Sequence, residues 1–140
     1  MINYENKIKQ INKLVESLKA SEKVYFENLL PSDLQEDLAV VYVIIDKNTS
    51  EALYVGRTKK LQRRLYNNHL HGNKSTARLK KYIVEDNINF PNITTYEQAK
   101  QWIKSNCYFQ YIKIDDSRER GHVEGMLGFI LDSRYIEDEH

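Results

Sequence analysis

The stretch Leu38-Ala39-Val40-Val41-Tyr42-Val43-Ile44-Ile45-Asp46-Lys47-Asn48-Thr49-Ser50-Glu51-Ala52-Leu53-Tyr54-Val55-Gly56 decides the architecture. Its first eight residues are aliphatic, β-branched or aromatic without a polar break, which predicts a strand buried on both faces. Asp46 to Ser50 carries turn chemistry. Ala52 to Gly56 then predicts a second strand, and the short connection makes the two a hairpin.

Upstream, Ile8, Ile11, Val15 and Leu18 recur at helical spacing and predict an amphipathic helix over residues 3–20. Ser21 is a cap for a second short helix carrying Val24, Phe26, Leu29 and Leu30, stopped by Pro31. Ser32 starts a further turn through Leu38. Downstream, Lys59 to His69 predicts a helix with Leu61, Leu65 and Leu70 on one side, broken by His71-Gly72-Asn73-Lys74. Ser75 caps a helix carrying Leu79, Tyr82, Ile83 and Val84, and Asn87 to Asn92 is a loop. Thr94-Thr95-Tyr96-Glu97 opens a helix with Ala99, Trp102 and Ile103. Alternation from Tyr108 to Ile114 predicts a third strand. Asp115, Asp116 or Ser117 caps a last helix to about Leu131. The expected fold is α+β, a small, mostly antiparallel three-stranded sheet flanked by helices, with extra N-terminal helices. The expected division is a helical extension over 1–37, a main domain over 38–136 and an acidic tail over 137–140.

A chain of 140 residues, 41% hydrophobic, is long enough for one domain with its own core. The single cysteine, Cys107, excludes an intramolecular disulfide and a cysteine-based metal cage. No secretory leader is visible, and the longest apolar run, Leu38 to Ile45, is far too short to span a membrane. The expectation is a soluble cytoplasmic protein without membrane contact.

The net charge of +1 conceals an asymmetry. From Arg57 to Lys81 there are nine basic residues and no acidic one. A concentrated positive field suggests a polyanionic partner, with Arg57, Lys59, Lys60, Arg63, Lys74 and Arg78 as nucleic-acid contacts.

Val40-Val41-Tyr42, followed after eleven residues by Tyr54-Val55-Gly56, resembles the paired motifs that name the GIY-YIG endonucleases. Arg64 stands ten residues after Tyr54, where that family carries an arginine at a helix start. Glu124 falls on the last helix, where it carries its one metal-binding carboxylate. The resemblance runs from about Ala39 to Ile136 and implies a metal-dependent endonuclease acting on DNA. It implies Tyr42 as general base or its relay, Tyr54 positioning the water or scissile phosphate, Arg64 stabilising the phosphoryl transition state, and Glu124 holding Mg²⁺ or Mn²⁺. Arg57 matches a position often basic in the family.

The residue types suit that chemistry on their own terms. A single carboxylate holds Mg²⁺ with waters and a phosphate oxygen completing its shell. A guanidinium donates two parallel hydrogen bonds to phosphate. A tyrosine near a metal and a guanidinium serves as a base. Against this, a tyrosine in an apolar strand is by itself an ordinary core residue.

Three features depart from the family pattern, the first being that the first motif lacks its glycine and reads Val40, which bears on backbone geometry more than on chemistry. The family's histidine or tyrosine four residues after the arginine falls here on Asn68, while His69 stands at five; a one-residue offset brings His69 toward Tyr42 as an additional catalytic group. The family's asparagine, twelve residues after the glutamate, is here Ile136, which cannot hydrogen-bond, so either another group such as Asn68 or Ser133 takes that role or turnover is weakened. Gly121, Gly125 and Gly128 share one face of the last helix, at roughly 1 kcal/mol each relative to alanine; close backbone packing or access to a metal beside Glu124 accounts for them.

Two rivals stand beside the nuclease. One is a nucleic-acid-binding module of weakened catalysis on the same scaffold. The other is an interaction protein that pairs through Ile8, Ile11, Val15 and Leu18. The N-terminal helices also leave open a homodimer or a partner protein.

Overall fold

The computed structural model describes residues 3–72 and 78–136. The expectations for Lys74, for Ser75 as a cap and for the acidic tail 137–140 lie outside those residues.

Helix α1 spans Tyr4–Ala20, and the side chain of Asn3 caps it by accepting from Glu5 N. A two-residue strand β1, Val24–Tyr25, follows, then a single 3₁₀ turn, Pro31–Asp33. The central hairpin is β2, Val40–Asp46, and β3, Ala52–Thr58. A π-helix occupies Arg63–Leu70. Helices α2, Arg78–Glu85, and α3, Tyr96–Asn106, lead into strand β4, Cys107–Lys113, and the chain closes on α4, Ser117–Ile130.

The sheet order is β1-β4-β2-β3 and every pairing is antiparallel. The α+β class with a small helix-flanked sheet is as expected, but the sheet has four strands rather than three. The helix expected after Ser21 is absent: Val24 pairs with Phe109 and Tyr25 with Tyr108. Pro31 begins a turn instead of ending a helix, as its fixed φ and missing N–H favour at a first helical position. The segment ahead of β2 also shares the main core, through Phe26, Leu29 and Leu34.

Strand β2 lies between β4 and β3, with helices over both faces. That placement explains its unbroken apolar run. One face carries Val40, Tyr42 and Ile44 against Leu61, Leu65, Leu70, Leu79, Ile83 and Ile103. The other carries Val41 and Val43 against Leu18 of α1 and Val123 and Leu127 of α4. The register slips once in the hairpin: Ile44 faces Tyr54 while Ile45 faces Ala52, so Leu53 is an extra residue. This bulge lets Leu53 and Tyr54 both join the first core face. After α4 the chain runs along the free edge of β3, where Arg134 N donates to Ala52 O and Tyr135 N to Leu53 O, each at 3.0 Å.

Candidate active site

Tyr42 and Gly56 are directly opposed in the hairpin, and Tyr54 lies two residues before Gly56 on the same face. A methyl group at Gly56 would collide with the Tyr42 phenol and stand 2.9 Å from Tyr54 Cε1. Glycine is therefore required by close approach of two aromatic rings, not by an unusual backbone angle. The Tyr42 and Tyr54 ring centroids are 6.2 Å apart.

His69 joins them from the π-helix. Its Nε2 lies 2.6 Å from Tyr42 Oη, and its ring meets Tyr54 edge-on at 5.1 Å. The helix type is what brings it there. Bonding from i to i+5, as from His71 N to Tyr66 O, widens each turn. Leu65, His69 and Leu70 thereby share the buried face. The offset of five residues from Arg64 is thus absorbed by the backbone, and Asn68 is not the residue facing Tyr42.

Electrostatics bind the group together. Burial, then Tyr54 and Glu124, pushes the Tyr42 phenol well above its ordinary range, while Arg64 and Arg78 pull it down. Burial likewise raises Tyr54 against the same two arginines. Burial, helped by Arg64, Lys80 and Arg78, drives His69 down to about 3, so the imidazole is neutral. Its Nδ1 is buried without a hydrogen-bond partner among the described residues. The tyrosines are therefore protonated at neutral pH in the protein alone, and a lowered phenol pKa is not a property of the bare site.

Glu124 reaches this cluster from α4. Its charge acts on both tyrosines, and its carboxylate lies 3.9 Å from Arg57 Nε. Glu124, Tyr54, Gly125, Gly128, Phe129 and Ile136 line a cleft of about 480 Å³. A Cβ at Gly125 or Gly128 would meet nothing within 4 Å, so these glycines open space beside Glu124 rather than pack a backbone. Gly121 differs, since a methyl there would strike the Arg57 guanidinium. Ile136 is 71% exposed, and Ser133 is occupied, donating to Leu53 O at 3.2 Å and Tyr135 O at 3.1 Å.

A metal must be judged on this donor set. The described residues contain no group of three His, Cys, Asp or Glu side chains fit to cage an ion. A single carboxylate, partly exposed on a cleft and facing Arg57, suits a hard cation that keeps most of its waters, as Mg²⁺ does. It does not suit tetrahedral zinc.

The basic window is heterogeneous. Lys59, Arg63 and Arg78 are exposed, and Arg78 adds its field to both tyrosines. Lys60 pairs with Asp37, and Arg57 with Glu124. His71 packs on Tyr66 at 4.5 Å, away from Tyr42. His122 is exposed and lines a separate groove between α1 and α4.

Sequence reasoning missed Tyr82 and Tyr135. Tyr82 stacks on Tyr135 at 5.4 Å and 10° and stands 6.3 Å from Tyr54. Tyr135 Oη donates to Asp86 at 2.7 Å. Nothing in the local sequence signals a contact made across the fold.

Residues 38–120 match a family model described as the GIY-YIG catalytic domain. A search of curated proteins found no match. The matched stretch covers more than half of the chain and includes the hairpin, Arg64 and His69, but ends four residues before Glu124, whose assignment therefore rests on the geometry of α4.

Proposed function

The chain belongs to the GIY-YIG catalytic-domain family, a domain of nuclease type, and on that premise we propose that it is a metal-dependent endonuclease hydrolysing DNA phosphodiester bonds. The observation that carries the reading is the 2.6 Å contact between Tyr42 Oη and neutral His69 Nε2, inside the field of Arg64, Arg78 and Glu124. A buried phenol bonded to a neutral imidazole is a proton relay.

Tyr54, half-buried on the cleft, seats the attacking water. As the water oxygen bonds to phosphorus, its proton passes to Tyr42 Oη and the Tyr42 proton passes to His69 Nε2. As that bond forms, the bond from phosphorus to the leaving oxygen breaks, and its electron pair stays on the leaving oxygen, which takes a proton from solvent. Arg64 and Arg78 face the charge growing on the phosphoryl oxygens. Burial is the main reason His69 is neutral in the protein alone, and these cations add to it; a phosphate between them offsets the cations' share. Glu124 would hold Mg²⁺ or Mn²⁺, which supplies charge stabilisation to the phosphate and the leaving oxygen when bound. Arg57, Lys59, Lys60 and Arg63 track the DNA backbone, with salt-dependent and largely sequence-independent affinity.

The test is supercoiled plasmid at low salt, with chelator, and with chelator followed by excess Mg²⁺ or Mn²⁺. Nicking only in the last arm supports the reading. Salt-sensitive binding without cleavage, on plasmid, branched DNA and RNA alike, overturns it in favour of a binding module on the same scaffold, with Ile136 the first position to revert to asparagine.

A further inference from the structure

One buried charge takes no part in the relay. Lys80, on α2 beside the core residue Leu79, is only 3% exposed. Its Nζ donates to Leu70 O at 2.9 Å and to Gly72 O at 2.6 Å. Leu70 ends the π-helix. The last carbonyls of any helix lack intrahelical partners, and a cation there also meets the negative end of the helix dipole. Lys100 and Glu97 of α3 also act on the ammonium.

His69 is the residue immediately before Leu70. The Lys80 charge also reaches its ring, together with Arg64 from the π-helix and Arg78 from α2, while Tyr42 of β2 and Tyr54 of β3 pack against it. A side chain that fixes the carbonyl of Leu70 fixes the backbone from which the imidazole hangs. That matters more here than at an ordinary helix end, because the wide turn is costly and it is the turn that carries His69 to Tyr42 in this structure.

We propose that Lys80 is a positioning residue, which locks the C-terminal end of the π-helix and so holds His69 Nε2 on the Tyr42 hydroxyl. It touches no substrate and acts through His69. The proposal rests on the nuclease reading for its kinetic consequence, and on the fold alone for its effect on His69.

The experiment compares wild type, Lys80→Met and Lys80→Arg. The methionine keeps length and apolar bulk but has no donor, while the arginine keeps charge and donors. Two readouts are taken on the same preparations: steady-state cleavage of duplex DNA with Mg²⁺, split into kcat and KM, and the ring nitrogen signals of His69 by NMR. Lys80→Met is expected to lose about 10- to 100-fold in kcat with KM within about twofold, the scale of a small misplacement of a reacting group. Its His69 signals should show the Tyr42 hydrogen bond weakened, and Lys80→Arg should recover both. A folded Lys80→Met with wild-type kcat, or with the loss confined to KM, or with unchanged His69 signals, overturns the proposal. Should Lys80→Met not fold, the ammonium protons of wild-type Lys80 decide: slow exchange with solvent supports the clamp, and the fast exchange of a surface lysine overturns it. Absence of cleavage by wild type with altered His69 signals in Lys80→Met would sink the nuclease reading and leave the clamp standing.

Discussion

Three residues of the candidate site each make a separable prediction. Tyr42→Phe removes the relay hydroxyl and leaves His69 with both ring nitrogens unpaired. It should lower stability by about 1–3 kcal/mol as well as activity, checked by denaturant melts. His69 is neutral when buried, with its pKa at about 3 against 6.5 in the unfolded chain. Between those values the unfolded state binds a proton that the folded state does not. Stability is therefore whole above about pH 7 and falls as pH drops through that window, by at most about 1.4 kcal/mol per unit. Melts from pH 7 to 4.5 should show a steeper loss for wild type than for His69→Gln; parallel curves would refute the buried neutral state. Gly56→Ala should cost about 1–3 kcal/mol, because its methyl needs the space of the Tyr42 phenol. A melt within experimental error of wild type would show that the rings yield easily.

At the scale of elements, the π-helix is the unusual feature. Leu61, Leu65, His69 and Leu70 are all buried, spaced by four, four and one. Deleting the exposed Asn67 brings His69 to four residues after Arg64 and turns the buried set into ordinary α-helical spacing. We expect the deletion variant to fold, to keep His69 on Tyr42 and to cleave within about tenfold of wild type, whereas a displacement of His69 would cost about 100-fold or more. Loss of that size in a folded deletion variant would show that the π register itself is needed. This element also marks where sequence reading stops. The Leu61–Leu65–Leu70 stripe announces a helix, but its type depends on packing against β2 and on the grip of Lys80 from α2. Val24 and Phe26 fail in the same way: their helical signal loses to pairing with Phe109, more than eighty residues on. The hairpin was legible because a both-faces-buried strand, a five-residue turn and Gly56 act locally. Helices α1, α3 and α4 were legible from apolar period and from caps such as Thr95 and Asp116.

For the whole molecule, the sheet divides labour between its faces. The face under the π-helix and α2 holds Tyr42, Tyr54 and His69, while α4 packs the other face and brings Glu124 to the site past the edge of β3. The basic residues Arg57, Lys59 and Arg63 are exposed, so on the proposed reading DNA affinity should fall with log salt at about −0.9 per phosphate neutralised. Arg63→Ala should shrink that slope by about one and weaken binding evenly across sequences, measured by fluorescence anisotropy at several salt concentrations. Motif order and spacing made Tyr42, Tyr54, Arg64 and Glu124 legible as a set; the Lys80 clamp and the Tyr82–Tyr135 stack arise only when distant segments meet. The central claim is that buried Tyr42 and cleft-lining Glu124 serve one reaction. Its most direct test is single-turnover cleavage of duplex DNA with Mg²⁺ by wild type, Tyr42→Phe and Glu124→Gln, with affinity measured alongside. Both variants should bind no more than about twofold weaker than wild type and cleave about 100- to 10,000-fold more slowly. Cleavage by Tyr42→Phe at the wild-type rate would contradict it.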